Sequence, residues 1–552
     1  MPLNLLTDRW IPVRRIDGST DVIGPWEIVP PDGGAIPPPV DLLPPRPDFR
    51  AALHEFLIGL LQLAMPPRDD AAWGQLLDAP PSQEALLAAL APFTSWFRLD
   101  GDRPRFMQDL TLPEPGPKDE LLPVASLLID APGAKTVRDN TDHFIKRDRV
   151  DALCLPCAAM ALYTLQTFAP AGGAGIRTSL RGGGPMSTLA VPDDDPQRPA
   201  RLWRTLWANV LSAPRCRYGM PSPDQYPGGV FPWGAPTRTS EKGETTSPQD
   251  VHPLHAYWGM PRRILLLPRI ESTPCACSVC GNGTTEVVRQ FVQRPSGYNY
   301  GPTWKHNLTP YRFQKGDAPA LPLKGNPGVT GYTHWLGVVC GEGEGDGNID
   351  RAACVSFALS QRRLRGQVRV RASGYDMENM KARQWCEGEY PVLTAEHVDL
   401  AEFRAQVKEM VADANTARQQ LLWSLRRAMF GDKAQAKSDA APFQGYAGMF
   451  WSETEAPFYE MVARLAEPDR AAGEEEADSP GELGGQDISN AETVRRQWAQ
   501  VLLRTALRIY DTALEGMLLA GDGKLWQRDA QARGGLKATL YKRLNITLQP
   551  VA

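Results

Sequence analysis

The sequence predicts an α+β protein in two parts: a large irregular mixed domain over residues 1–392 and a C-terminal four-helix bundle over residues 393–552. Three observations lead there. Up to about Tyr390 the chain is rich in proline and glycine, with short apolar runs between irregular stretches. Beyond Thr394 apolar residues recur at three and four positions. Four of the nine cysteines stand in two Cys-x-x-Cys pairs about 120 residues apart. At 552 residues the chain also exceeds what one hydrophobic core usually organises.

In the first part, the opening MPLNLLTDRWIPV has no basic region followed by an apolar run. No stretch of eighteen apolar residues occurs anywhere, so the sequence predicts a cytoplasmic protein with no membrane partner. The cysteine pairs are Cys154-Leu-Pro-Cys157 and Cys277-Ser-Val-Cys280. A two-residue gap lets one tight turn aim two sulfurs at one ion, and four thiolates at about 2.3 Å complete a closed tetrahedral Zn²⁺ site. Such a zinc knuckle would staple distant segments and, with no ligand position left for water, would be structural. The same residues also read as four buried free thiols. Cys216, Cys275, Cys340, Cys354 and Cys386 read as ordinary thiols of a reducing compartment.

The loop after the first pair runs Ala169-Pro-Ala-Gly-Gly-Ala-Gly175, Ile176-Arg-Thr-Ser-Leu-Arg181 and Gly182-Gly-Gly184. Small residues at Gly172, Gly173, Ala174 and Gly175 let peptide groups approach a narrow surface such as a DNA minor groove, with Arg177 and Arg181 placed for phosphates. A flexible connector accounts for the composition equally well. The net charge of −4 hides a local asymmetry. Gln361 to Arg383 carries seven Arg or Lys against two acids, whereas residues 469–489 carry seven acids against one arginine and read as a loop. The apolar run Arg263-Ile-Leu-Leu-Leu-Pro268 and the alternating Gln367-Val-Arg-Val-Arg371 fit strands.

In the second part, Phe403, Val407, Met410 and Ala414, then Leu421, Leu422, Leu425 and Met429, repeat at helical spacing. Phe458 to Leu465, Val494 to Ile509 and Leu536 to Leu544 repeat the pattern, and polar loops between such segments favour an up-and-down bundle.

Catalytic signatures do not emerge. Neither phosphate-loop pattern occurs, and the seven histidines form no His-Glu-x-x-His and no His-Asp pair. No catalytic residue is assigned.

Five ordered motifs carry a resemblance: Asn4-Leu-Leu-Thr-Asp-Arg-Trp-Ile-Pro-Val13, Asp151 to Cys157, Ala169 to Gly184, Cys277 to Gly281, and Ser373-Gly-Tyr-Asp-Met-Glu-Asn-Met-Lys381. Together they resemble the CasA family, the large subunits of type I-E CRISPR Cascade complexes. The resemblance implies a non-catalytic subunit that recognises the protospacer-adjacent motif on double-stranded DNA. It also implies help in opening the duplex for guide-RNA pairing and recruitment of a separate helicase-nuclease. Minor-groove readout by the glycine-rich loop would be degenerate, which is tolerable where a guide RNA reads the sequence. The family's wedge hairpin falls on Asn379, Met380 and Lys381, where an apolar tip can unstack a base step. Methionines capping a core are the plainer reading of that hairpin. The family's contact with the guide RNA 5′ handle and a backbone subunit falls on Arg138, Asn140, Phe144, Lys146 and Arg147, in a stretch that also reads as a solvated mixed-charge loop. Other Cascade backbone and small subunits complete the implied partners. Two features depart from the pattern: alanines at 171 and 174 replace expected glycines, and the lysine expected after the second cysteine pair is missing, with Arg294 its nearest substitute. Against this stand a zinc-stabilised nuclease or hydrolase using an unrecognised histidine–carboxylate site, and a zinc-stabilised interaction protein that binds no nucleic acid.

Overall fold

The structure, a computed structural model, describes residues 2–31, 33–34, 36–118, 120–133, 137–139, 149–173, 175–219, 229–325, 331–343, 345–378, 380–393, 399–431, 441–467, 489–520 and 523–546. The chain is α+β and divides into two compact units, one of Met1–Pro327 with Gly337–Pro391 and one of Gly328–Leu336 with Val392–Ala552.

The first unit opens with strands β1 (Ile11–Arg15), β2 (Thr20–Ile23) and β3 (Pro39–Leu42), which form an antiparallel sheet in the order β2-β1-β3. Helices α1 (Pro47–Ala64), α2 (Asp70–Asp78) and α3 (Gln83–Leu90) follow. Helix α1 starts with proline at its first position and an acid in its first turn, both favourable where amides lack partners. It is buried nearly all round, with Asp48, His54, Glu55 and Gln62 among its buried residues, because it lies in the core. There Phe56 meets Trp10, Phe97, Phe106, Tyr163 and Trp258 edge to face at 5.5–6.0 Å.

Short strands β4 (Leu122–Pro123) and β5 (Leu153–Cys154) precede helix α4 (Leu155–Phe168). Strand β6 (Ser187–Pro192) and helix α5 (Arg201–Trp207) lead to a long hairpin, β7 (Arg263–Ala276) and β8 (Gly283–Arg294). The leucine run at 265–267 falls inside β7, and β8 pairs with β4, β5 and β7. Three two-residue or short elements, β9 (Tyr311–Arg312), β10 (Leu321–Pro322) and β11 (Ile349–Asp350), form a small sheet before helix α6 (Ala353–Ser360). A second hairpin, β12 (Val368–Glu378) and β13 (Lys381–Pro391), joins β6 in the order β13-β12-β6. The alternation seen at 367–371 is realised there: Val368 and Val370 are buried, while Arg369 and Arg371 pair with carboxylates.

Among the described residues, the second unit contains four helices, α7 (Leu400–Phe430), α8 (Ala441–Leu465), α9 (Asn490–Ala520) and α10 (Gly523–Arg543). Asp399 caps α7 by accepting from the amides of Ala401 and Glu402. The periodic residues Phe403, Val407, Met410, Ala414, Leu421 and Leu425 are all buried, and Trp498 donates its indole N–H to the Met410 carbonyl at 2.9 Å. The acidic stretch at 469–489 lies, apart from Ser489, outside the described residues. Among the described residues no helix is long and apolar enough to cross a membrane.

Candidate nucleic-acid interface and metal centre

Two local devices bring the four cysteines together. Cys154 ends β5 and stands at the extended position just before α4, with Pro156 in the first turn, so Cys157 lies one helical turn on. Pairing of Leu153 and Cys154 with Val288 and Val287 lays this turn beside β8. Cys277 to Cys280 occupy the tip of the β7–β8 hairpin. The Cys277 carbonyl accepts from the Gly281 amide at 2.9 Å, and Gly281 has φ +78, a left-handed conformation glycine adopts freely. Ser278 ties tip to turn: its amide donates to the Ala152 carbonyl at 2.8 Å, and its hydroxyl accepts from the Asp151 and Ala152 amides.

The four sulfurs lie within 4.8 Å of one another, and the group could hold a metal ion. Tetrahedral thiolate sites have sulfurs about 3.8 Å apart, the edge implied by metal–sulfur bonds of about 2.3 Å. The Cys154–Cys280 separation is 3.7 Å. Hydrogen bonds from Cys154 and Cys157 hold the Cys277 thiol far below its usual range, and hydrogen bonding to Cys154 and Cys277 together with burial pushes Cys157 far above it. The four sulfurs thus share their protons through mutual contacts, in a cluster that could hold a cation.

The glycine-rich loop leaves the far end of α4. The Gly172 amide donates to the Ile176 carbonyl and the Ile176 amide to the Gly173 carbonyl, both at 3.2 Å, making a tight turn with Gly172 and Gly173 exposed. Gly173 at φ +111 and Gly175 at φ +74 need left-handed backbone. A Cβ on Gly173 would meet nothing within 4 Å, whereas one on Gly175 would sit 2.7 Å from Pro295 Cβ. The Gly175 carbonyl accepts from the Ser296 amide at 2.7 Å, so the turn is braced on the segment just beyond β8. Ala174 lies outside the described residues.

The loop's other end meets the second hairpin, since a Cβ on Gly184 would come within 2.5 Å of the Tyr375 carbonyl. At the hairpin tip, Glu378 pairs with Lys381 across two residues. Met380 adopts φ +63 and is 61% exposed, and Lys381 is exposed beside it. Arg383 braces the tip on Asp376 and Glu378. Asn379 lies outside the described residues.

The arginines divide. Arg177 is half-buried and donates to the hydroxyl and carbonyl of Ser240. Arg294, at the end of β8, is half-buried and engaged within the protein. Arg181 corrects the sequence expectation. Its side chain is 2% exposed and grips both Glu55 carboxylate oxygens at 2.8 and 2.6 Å, with Ser187 and Thr309 on its other nitrogen. It cannot meet a phosphate without breaking a buried ion pair. Of the remaining candidates, Arg138 is exposed and pairs with its neighbour Asp139, and Asn140, Phe144, Lys146 and Arg147 lie outside the described residues. Near the cysteines, a cleft of about 590 Å³ is lined by Arg46, Arg149, Arg269 and Arg289 with Asp130 and Asp151.

Sequence reasoning missed Gln166, Arg262 and Ser296. Gln166 on α4 clamps Arg262 by accepting from its amide at 3.1 Å and donating to its carbonyl at 2.9 Å. Only the Arg262-Arg263 dipeptide ahead of the β7 apolar run hinted at a site there.

The family model for CRISPR-associated protein Cse1 matches residues 4–509. Among solved structures, Cse1 from Acidimicrobium ferrooxidans is similar with a TM-score of 0.64 at 18% identity, covering 99% of each chain. CasA (Cse1) from Thermus thermophilus gives 0.63 at 17%, covering 98% of this chain and 99% of that one. A chain of a CRISPR RNA-guided surveillance complex gives 0.64 at 16%, again covering 98% and 99%. At these identities the structural likeness speaks to the fold.

Proposed function

The chain belongs to the family of CRISPR-associated protein Cse1, and we propose that it is the non-catalytic large subunit of a type I-E Cascade surveillance complex. In this reading it recognises a short motif on double-stranded DNA, helps open the duplex for guide-RNA pairing, and recruits a helicase-nuclease. The observation that carries the reading is the glycine turn at Gly172 and Gly173. It is open to solvent at its apex and braced at Gly175 against Ser296. A turn with glycine at its exposed positions suits entry into a narrow groove. Met380 and Lys381 then act as the wedge, and a methionine held in left-handed backbone and exposed to solvent supports that role better than a core-capping one.

The metal in this reading is Zn²⁺. Four soft thiolates in near-tetrahedral spacing favour it and leave no open position, so Cys154, Cys157, Cys277 and Cys280 hold α4 against the β7–β8 hairpin without taking part in chemistry. Reduced thiols fit a cytoplasmic location. The cleft lined by Val137, Arg149, Arg269 and Arg289 supports an anionic ligand, consistent with the guide RNA 5′ handle and a neighbouring backbone subunit. The matched surveillance-complex chain supports the presence of such partner subunits.

The test is co-expression with a guide RNA and candidate backbone and small subunits. Co-purification and tighter binding to duplexes carrying one short motif are expected. Cleavage of DNA by the purified chain alone would favour the nuclease reading, and an assembled complex with no salt-dependent DNA affinity would remove nucleic acid from the account.

A further inference from the structure

Arg262 stands out among the cations around the glycine turn. Its backbone is clamped on both sides by Gln166, a side chain of α4 that is 1% exposed. Its Nη2 donates to the Pro170 carbonyl at 2.6 Å, where the loop begins, and its buried Nε has no hydrogen-bond partner. Among the described residues no carboxylate pairs with it. Its neighbour Arg263 has Asp109 at 2.6 Å and Glu241 at 3.8 Å, and Arg181 has Glu55. Burial alone pulls the Arg262 pKa down to about 10, the mark of a charge without compensation.

The free end of the guanidinium lies under the turn. A Cβ on Gly172 would come 3.3 Å from Arg262 Nη1 and 2.7 Å from Ile176 Cγ2. Gly172 has ordinary backbone angles, since its φ lies outside the left-handed range. The absent side chain there therefore serves space rather than conformation: a Cβ would crowd both Ile176 and Nη1 at a loop position open to solvent.

We infer that Arg262 is a DNA-backbone ligand of the glycine turn, taking one phosphate of the duplex through the opening that Gly172 leaves. A phosphate supplies the missing counter-charge, in surroundings that strengthen a charge-assisted hydrogen bond. Gln166 fixes the Arg262 backbone and the Pro170 carbonyl holds the guanidinium, so little side-chain freedom is lost on binding. This rests on the reading of the turn as a DNA contact.

The test uses the complex assembled with guide RNA and partner subunits, measuring Kd against salt for motif-bearing and motif-scrambled duplexes. Arg262→Gln is expected to weaken both severalfold and to reduce the slope of log Kd against log salt by about 0.9, the share of one phosphate. Arg262→Lys should keep the slope. Arg262→Met, which removes the charge but keeps an aliphatic stem in its place, should reproduce the slope loss and decides the matter if the Gln variant fails to assemble. An unchanged slope in Arg262→Gln, or in Arg262→Met where that variant decides, overturns the proposal. So does lost motif preference at constant slope, which would reduce Arg262 to positioning the loop. A wild-type complex with no motif preference would instead count against the functional reading, while the slope difference would still report on Arg262.

Discussion

Single residues decide what each arginine and cysteine can do. Arg181 and Arg177 stand four apart in one loop and look interchangeable in sequence, yet Arg181 is buried on Glu55 and Arg177 rests on Ser240. Arg181→Met is expected to strand the Glu55 charge and destabilise the first unit by about 3–5 kcal/mol, read by chemical denaturation. The salt slope of DNA binding should remain that of the wild type wherever the variant still assembles; a slope smaller by one phosphate would restore Arg181 to the DNA contacts. Cys280→Ser tests the staple from the other side. Elemental analysis should show loss of the bound ion, with earlier thermal unfolding of the first unit, because a structural metal contributes its binding free energy to folding. Retained ion at full stoichiometry would remove the four-thiolate site.

At the scale of elements, the turn and the two hairpins take their shape from backbone pairing and glycine conformation. Gly175→Val forces a β-branched residue into φ +74 and sets its Cβ 2.7 Å from Pro295. The conformational cost alone is roughly 1–2 kcal/mol. Motif-dependent binding should fall while binding to scrambled duplexes stays, and equal losses on both would detach the turn from motif reading. Met380→Ala with Lys381→Ala should slow duplex opening more than docking, followed through a fluorescent base beside the motif; unaltered opening kinetics would end the wedge assignment. These elements differ in how far sequence discloses them. The helices were legible because burial repeats with the helical period, as from Phe403 to Leu425. The cysteine cluster was legible because each half is a local spacing. Arg181 was not, since its partner lies 126 residues away and no local pattern encodes the pair. Arg262 was hidden for the same reason: Gln166 lies 96 residues from it and Pro170 lies 92.

At the scale of the whole molecule, the chain builds its helical unit with a piece taken from inside the first. Gly328–Leu336 belongs to the second unit although sequence on both sides of it belongs to the first. Texture gave no sign of this, because one tyrosine and one tryptophan in a glycine-rich stretch resemble any loop anchor. Tyr332 is fully buried, stacks on Phe458 at 4.1 Å, meets Trp451 and Trp498 edge to face, and shares a hydrogen bond with Thr454 at 2.9 Å. Trp335, also buried, lies against Phe403 and Phe458. Two aromatic anchors in so short a segment make the helical unit depend on chain that enters it from the first unit. Tyr332→Ala should therefore leave a cavity against α8 and α9 worth about 3–5 kcal/mol, the usual cost of deleting a buried aromatic ring. Native-state hydrogen exchange separates the units, since each opens with its own free energy when they unfold independently. Amides of α8 and α9 should lose protection by that amount while those of the β7–β8 hairpin keep theirs. Equal loss in both would mean that the two units unfold as one, and that the anchor serves the whole chain.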